Sequence, residues 1–206
     1  MHARAHRIAS RSRWLRGLAI AVTAWLAVAC QVAPPANGWP EITFQHRPAL
    51  QFDAAEIAVE QSYEAPLGPP HVVHLFPVSP GEAAVRWARD RLVAAGTAGR
   101  LIYDVREASA VEVPLQIESG LTGLFTAEQS ARYDARLVVE VRLLDDRGMT
   151  RAAVEAEVER SITVPEDATL REREEAWFRL TEALMRDFDA ELEKALYQYM
   201  AAHILN

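Results

Sequence analysis

Residues 133–165 read YDARLVVEVRLLDDRGMTRAAVEAEVERSITVP, and this stretch decides the fold. In its first half, apolar side chains alternate with charged ones, and after the acidic turn at residues 145–148 the alternation resumes. The apolar positions are Leu137, Val139, Val141, Leu143, Val154, Ala156 and Val158, and the charged ones include Arg136, Glu140, Arg142, Glu155, Glu157 and Glu159. This period of two predicts two strands with one buried face, joined as a β-hairpin whose polar face pairs arginines with glutamates.

Two amphipathic helices are predicted on either side of this region. After the hairpin, Thr169 to Glu172 form a capping box, and an apolar stripe from Trp177 to Tyr199 predicts a terminal helix of about 33 residues. Earlier in the chain, Ser79 precedes Pro80 with Glu82 three positions on, which is a second capping box. Apolar residues at helical spacing continue that helix until Gly96 ends it.

The remaining elements are predicted to be strands and a loop. Alternation predicts strands at 42–46, 55–63, 101–106 and 111–117, while four prolines make 65–77 a loop. Half-polar strands and two amphipathic helices can bury their apolar faces together as an α+β fold, a two-layer domain with both helices on one face of a mainly antiparallel sheet.

The N-terminus has the features of a secretion signal. Five arginines precede a charge-free apolar stretch from Gly17 to Ala29, which is too short to span a bilayer as a helix. The next residues, Leu26 to Cys30, resemble the bacterial lipobox, in which the cysteine thiol receives a diacylglycerol. The sequence thus predicts a signal peptide at 1–29, a proline-rich tether at 30–40 and a single periplasmic domain at 41–206.

Cys30 is the only cysteine of the chain, and lipid attachment there explains a lone thiol in an oxidising compartment. The alternative is an ordinary secreted protein in which Cys30 is free or forms an intermolecular disulfide. By resemblance to enterobacterial sorting, Gln31 after the cysteine favours the outer over the inner membrane.

Charge and motif content exclude several classes of function. Without the signal, 17 basic residues remain against 29 acidic ones, a formal charge of −12 that repels phosphate backbones, so no nucleic-acid partner is expected. His71 and His74 lack further metal ligands at suitable spacing. No nucleophile motif is present, and the carboxylates around Glu172 suit a helix entry, so we expect neither an enzyme nor a cofactor.

The loop at 120–125 is the strongest candidate contact in the sequence. Leu121, Leu124 and Phe125 stand among glycines and polar residues, and they either fold back onto the core or contact a partner or the bilayer.

The hairpin at 133–165, the helix containing Trp177 and the earlier helix with Trp87 resemble two families. One is the lipopolysaccharide-assembly lipoprotein of the outer-membrane translocon, and the other is the auxiliary lipoproteins of ABC-type lipid transporters. The segments SPGEAAVRWARDRLVAAG (79–96) and GLTGLFTAEQSARYD (120–134) look more like an uncharacterised proteobacterial lipoprotein family. The resemblance implies a membrane-anchored accessory in envelope assembly or lipid transport that binds a larger envelope complex. A carrier of a small apolar ligand, a carboxylate enzyme and a purely structural envelope component are the alternatives.

Overall fold

A computed structural model describes residues 38–115 and 129–205, with the backbone alone at 129 and 130. The described residues from Trp39 onward belong to one compact unit. Its strands are β1 (Leu50–Phe52), β2 (Glu56–Gln61), β3 (Leu92–Ala94), β4 (Arg100–Pro114), β5 (Gln129–Leu144) and β6 (Thr150–Pro165). The helices are α1 (Pro80–Arg91) and α2 (Leu170–Tyr199), and short 3-10 turns lie at Val73–Leu75 and Ala201–His203.

The main sheet has the strand order β2-β4-β5-β6. The pair β2/β4 is parallel and the other two pairs are antiparallel, so the sheet is mainly antiparallel, as predicted. β5 and β6 form the predicted hairpin, with Val141 opposite Val154. At its turn, a carboxylate oxygen of Asp145 accepts the backbone N–H groups of Arg147 and Met149, each at 2.9 Å. Gly148 takes the positive φ of +77° that the turn requires.

Both helices lie on one face of this sheet, which confirms the predicted two-layer α+β fold. Trp87 of α1 stacks on Tyr103 of β4 and meets Phe188 of α2 edge-on. Trp177 of α2 makes an edge contact with Tyr133 of β5. The two predicted capping boxes are both formed, at Ser79 and at Thr169. We call the covered side of the sheet the helix face and the other side the open face.

A buried polar network joins the two helices. The indole N–H of Trp87 donates to Asp189 at 2.7 Å, and Arg91 lies 3.5 Å from the same carboxylate and 3.0 Å from Glu193. Arg47 contacts both carboxylates from the N-terminal segment. Arg91 is fully buried and Asp189 is only 8% exposed, so these charges are paired in the interior, where α1 meets α2.

Two predicted elements that precede β4 in the chain differ from the structure. The predicted strand at 42–46 is irregular, because Asp90 of α1 accepts the backbone N–H of Phe44 and the hydroxyl of Thr43, each at 2.8 Å. Helix α1 ends at Arg91 rather than near Ala95. The next residues form β3, which pairs in parallel with β1.

The strand predicted at 101–106 and the first part of the one predicted at 111–117 belong to one strand, β4, which ends at Pro114; residues 116 and 117 lie outside the described residues. A register shift between Val105 and Glu107 moves the buried positions by one residue, from Tyr103 and Val105 to Ala108 and Ala110. Val111 therefore lies on the open face, whereas the sequence pattern suggested that it begins a new buried row.

Candidate interaction site

The open face of the sheet carries a dense set of ion pairs. The register puts Arg136 of β5 between Ser109 of β4 and Glu159 of β6, and Asp134 between Val111 and Ser161. Because paired residues on neighbouring strands point to the same side, these polar side chains form rows across the sheet. The predicted pairing of arginines with glutamates on the polar face is confirmed by the contacts of Arg136.

Arg136 is shared by three carboxylates. Its guanidinium lies 2.6 Å from Glu107, 2.7 Å from Glu157 and 3.2 Å from Glu159. The hydrogen bond with Glu157 contributes most to raising the pKa of Arg136, and the charges of Glu107, Glu157 and Glu159 raise it further. One positive charge thus faces three negative charges, and this part of the open face has an excess of negative charge.

A second polar centre lies towards the other end of the open face, at Asp104. Burial raises the pKa of its carboxyl group, but hydrogen bonds from Ser62 and Arg106 outweigh that effect, and the net pKa lies below its usual value. Arg106 donates to Asp104 at 3.1 Å and also lies in the fields of Glu140 and Glu155. Since Glu140 stands directly opposite Glu155, Arg106 offsets a like-charge pair of the sheet.

A groove of about 940 Å³ lies on the open face. Its floor is formed by β4, β5 and β6, including Arg132, Asp134 and Ser161. The segment after β2 forms one wall and contributes Tyr63, Glu64, Pro66 and His71. Arg132 and Asp134 are joined on the floor by two hydrogen bonds of 2.8 Å. The volume is within the range of small-molecule sites, and charged residues make up half of the lining.

The wall is fixed to β4 by backbone hydrogen bonds. Val72 donates to Ala110 at 2.9 Å, and Glu112 donates to the carbonyl of Pro70 at 2.8 Å. His71 bridges to Val111, which puts its side chain on the open face. Its Nδ1 atom is buried and has no hydrogen-bond partner among the described residues.

Tyr63 completes this wall. Burial raises the pKa of its hydroxyl, and the nearby carboxylate of Glu107 raises it further, so Tyr63 remains a neutral hydrogen-bond donor at physiological pH. Within residues 38–115 and 129–205, no three His, Cys, Asp or Glu side chains are grouped to hold a metal ion.

β6 is the last strand of the sheet, and no other described strand pairs with its outer edge. Its pairing with β5 is uninterrupted from Val164 to Ala152. Glu155, Glu157 and Glu159 are exposed along the open face of this strand. A long, regular edge with unpaired backbone groups is a site where another extended chain can bind.

The contact residues predicted from the sequence lie outside the described residues. Cys30 precedes residue 38, and Leu121, Leu124 and Phe125 fall between the described parts of β4 and β5. Sequence reasoning missed the groove because its wall and floor come from four separate segments. It did identify the charged face of the hairpin, which forms part of the floor.

The described residues include no helix with the length and apolar character needed to cross a membrane.

No family model and no curated protein matches this chain. Solved structures to which this structure is similar include two bacterial lipoproteins. One is rare lipoprotein B from Shewanella oneidensis, at 14% sequence identity. The match covers 68% of this chain and 92% of that protein's chain, with a TM-score of 0.35. The other is the minor lipoprotein from Acinetobacter baumannii, at 10% sequence identity. The match covers 74% of this chain and 96% of that protein's chain, with a TM-score of 0.36. At such scores the similarity assigns neither a family nor a function.

Proposed function

We propose that this chain is a lipid-anchored envelope protein without catalytic activity, an accessory to a larger membrane protein in envelope assembly or lipid transport. The observation that carries the proposal is the position of Cys30, directly after the predicted secretion signal and at the start of the predicted proline-rich tether. Acyl chains on that thiol would hold the domain at a membrane surface, because each buried methylene contributes about 0.8 kcal/mol.

The position of Trp39 limits how far such a domain could extend from the membrane. Its ring stacks on Phe178 of α2 with 5.3 Å between the ring centroids, and the compact unit begins at this residue. The chain from Cys30 to Trp39 reaches about 30 Å when fully extended. A tether this short would keep the domain close to membrane partners and raise their effective concentration.

Replacing the thiol tests the anchor. We expect Cys30→Ser to abolish incorporation of labelled palmitate and to release the protein from the membrane pellet after a high-salt wash. The matched control is Ala33→Ser, which introduces the same hydroxyl within the tether and should leave both properties unchanged. A Cys30→Ser protein that is processed normally and stays in the pellet would contradict the proposal.

The membrane of residence is tested at the next residue. We propose the outer membrane, on the basis of Gln31, and we expect Gln31→Asp to move the protein to the inner-membrane fraction of a sucrose gradient. A wild-type protein that already sediments with the inner membrane would contradict this assignment.

The accessory role is tested on the membrane-bound protein. Crosslinking followed by mass spectrometry should recover a larger membrane protein joined to residues of the open face or of β6. Recovery of copies of this chain alone would favour the purely structural alternative.

The groove favours a second candidate function, binding of a small ligand. It lies on the face away from the helices, and its lining includes Arg132, Asp134 and Glu159. Such a lining suits a polar molecule better than the acyl chain expected between helices and sheet. Native mass spectrometry of the purified protein should then show a retained polar molecule that is lost in Asp134→Ala.

A further inference from the structure

We propose that the outer edge of β6 is the docking strand of this protein, and that its partner contributes an extended basic segment that adds to the sheet beside β6. The inference rests on the proposed function, since it specifies the chemistry of the partner segment. It rests on three features of the described structure: the free edge, its regularity and its charge.

The edge offers a long row of backbone hydrogen-bonding groups. In an antiparallel ladder, every second residue of a strand directs both its N–H and its C=O away from the neighbouring strand. β6 spans Thr150–Pro165, and its ladder with β5 has no irregularity between Ala152 and Val164. Proline stands only at the last position of the strand, so every earlier residue can donate a hydrogen bond.

The charge along β6 selects the partner segment. Glu155, Glu157 and Glu159 lie on the open face at alternate positions, about 7 Å apart along the strand. Glu157 and Glu159 share Arg136, which also binds Glu107, and Glu155 stands opposite Glu140. An added strand places its Cβ atoms about 5 Å from the Cβ atoms of the glutamates directly opposite. Arginine or lysine at alternate positions of the partner segment would complement them.

A second copy of β6 is a poor occupant of the same edge. Pairing two such strands would bring the glutamates of both copies together, and like charges in directly opposed positions destabilise a sheet. Charged side chains also protect edge strands from aggregation. A purely protective role for these glutamates explains why two copies repel each other, but it predicts no affinity for a basic strand. The experiment therefore measures whether β6 binds a basic strand.

The experiment uses the mature full-length protein in detergent micelles and three synthetic peptides. The first is an eight-residue peptide of alternating arginine and valine, the second replaces arginine by glutamate, and the third keeps arginine but has a backbone N-methylated at alternate residues. We expect the first peptide to bind, with slower exchange of alternate β6 amides, and the other two to bind at least tenfold more weakly. Equal binding of the N-methylated peptide would overturn strand addition, and equal binding of the acidic peptide would overturn the selection for basic segments.

Variants of the protein locate the binding site. Among the described residues, Glu155 makes no ion pair within 4 Å and interacts with Arg106 only at longer range, so its substitution leaves the contacts of Arg136 intact. We expect Glu155→Gln to weaken binding of the arginine peptide about twofold and Glu155→Lys about fivefold, since exposed pairs contribute up to about 1 kcal/mol. The matched control is Glu182→Lys, which makes the same charge change on an exposed position of α2 and should leave affinity unchanged. Equal effects of Glu155→Lys and Glu182→Lys would show attraction to net charge and would overturn the assignment to β6.

Lipid attachment does not enter this measurement. A failed Cys30→Ser test would remove the anchor but would leave peptide binding to β6 unaffected. Conversely, an anchored protein that binds none of the peptides would retain the proposed localisation and lose the docking strand.

Discussion

Substitution of Asp189 tests whether the buried network between α1 and α2 holds the two helices together. Asp189 accepts the indole N–H of Trp87 at 2.7 Å and lies within 3.5 Å of Arg91 and Arg47. Asp189→Ala leaves Arg91 fully buried with Glu193 as its remaining carboxylate partner, and it removes the acceptor of the indole N–H. Removing one partner of a buried ion pair costs about 3 to 5 kcal/mol.

The expected loss can be measured by urea and thermal unfolding of the mature protein, followed by circular dichroism. For a domain of this size, about 3 to 5 kcal/mol corresponds to a fall in Tm of about 6 to 20 °C. Asp189→Asn keeps an acceptor for the indole N–H but removes the charge, so we expect a smaller loss than for alanine. The control is Glu191→Ala, an exposed position on the same helix, which should change the unfolding free energy by less than about 0.5 kcal/mol.

Two results would refute this reasoning. If Asp189→Ala destabilises the protein by less than about 1 kcal/mol, solvent or rearranged side chains compensate the charge of Arg91, and the network does not fix the packing. If asparagine is as harmful as alanine, the hydrogen bond from Trp87 contributes nothing that can be measured. A double-mutant cycle with Trp87→Phe would then locate the coupling energy.

Three further predictions concern other parts of the fold. Asp104→Asn should lower the free energy of unfolding by about 1 to 3 kcal/mol at pH 7, as measured in urea titrations. The difference from the wild-type protein should disappear as the pH falls below 3.8, the ordinary pKa of the carboxyl group. The reason is that the pKa of Asp104 is lowered in the fold, so its hydrogen bonds stabilise the fold only while the carboxylate is ionised. Gly99→Ala should unfold at a lower urea concentration than Gly148→Ala. Both glycines have a positive φ, so alanine is strained at either position. A Cβ at Gly99 would also lie 2.5 Å from a carbonyl oxygen of β5, whereas a Cβ at Gly148 meets nothing within 4 Å. Leu124→Glu combined with Phe125→Glu should abolish partner pull-down while Tm stays within a few degrees, and a large fall in Tm would instead assign that loop to the core.

Local patterns in the sequence predicted the elements that depend on local physics. Ser79 and Thr169 were both predicted as helix N-caps, and both accept the backbone N–H three residues on, because a capping box is complete within four residues of chain. The hairpin was predicted for a similar reason, since alternation and turn chemistry together specify it. The phase of that alternation also gave the correct buried side of β5 and β6.

Elements that depend on distant partners were not predictable. Leu92 continues the helical spacing of α1, but it pairs with Leu50 in a parallel ladder, and no local signal reports that pairing. The irregular segment around Phe44 is held by Asp90, more than forty residues away. The register shift after Val105 produced a break in the pattern that resembles the end of one strand and the start of another.

The candidate site was only half predictable for the same reason. The charges of its floor are visible in the hairpin sequence, but the wall formed by Tyr63 and His71 comes from a loop whose position depends on backbone hydrogen bonds to β4. The sharing of Arg136 among three carboxylates depends on the register of three strands, which alternation alone leaves open.

The two faces of the sheet differ in what they leave available for binding. On the helix face, aromatic rings and a buried ion network occupy the polar and apolar groups of both layers, so α1 and α2 stabilise the fold and leave few groups free there. On the open face, one guanidinium serves three carboxylates, and no described strand pairs with the adjacent outer edge of β6. Unpaired backbone groups and excess negative charge therefore occur on the same strand. A basic extended chain satisfies both at once, whereas a neutral strand or a small cation satisfies only one.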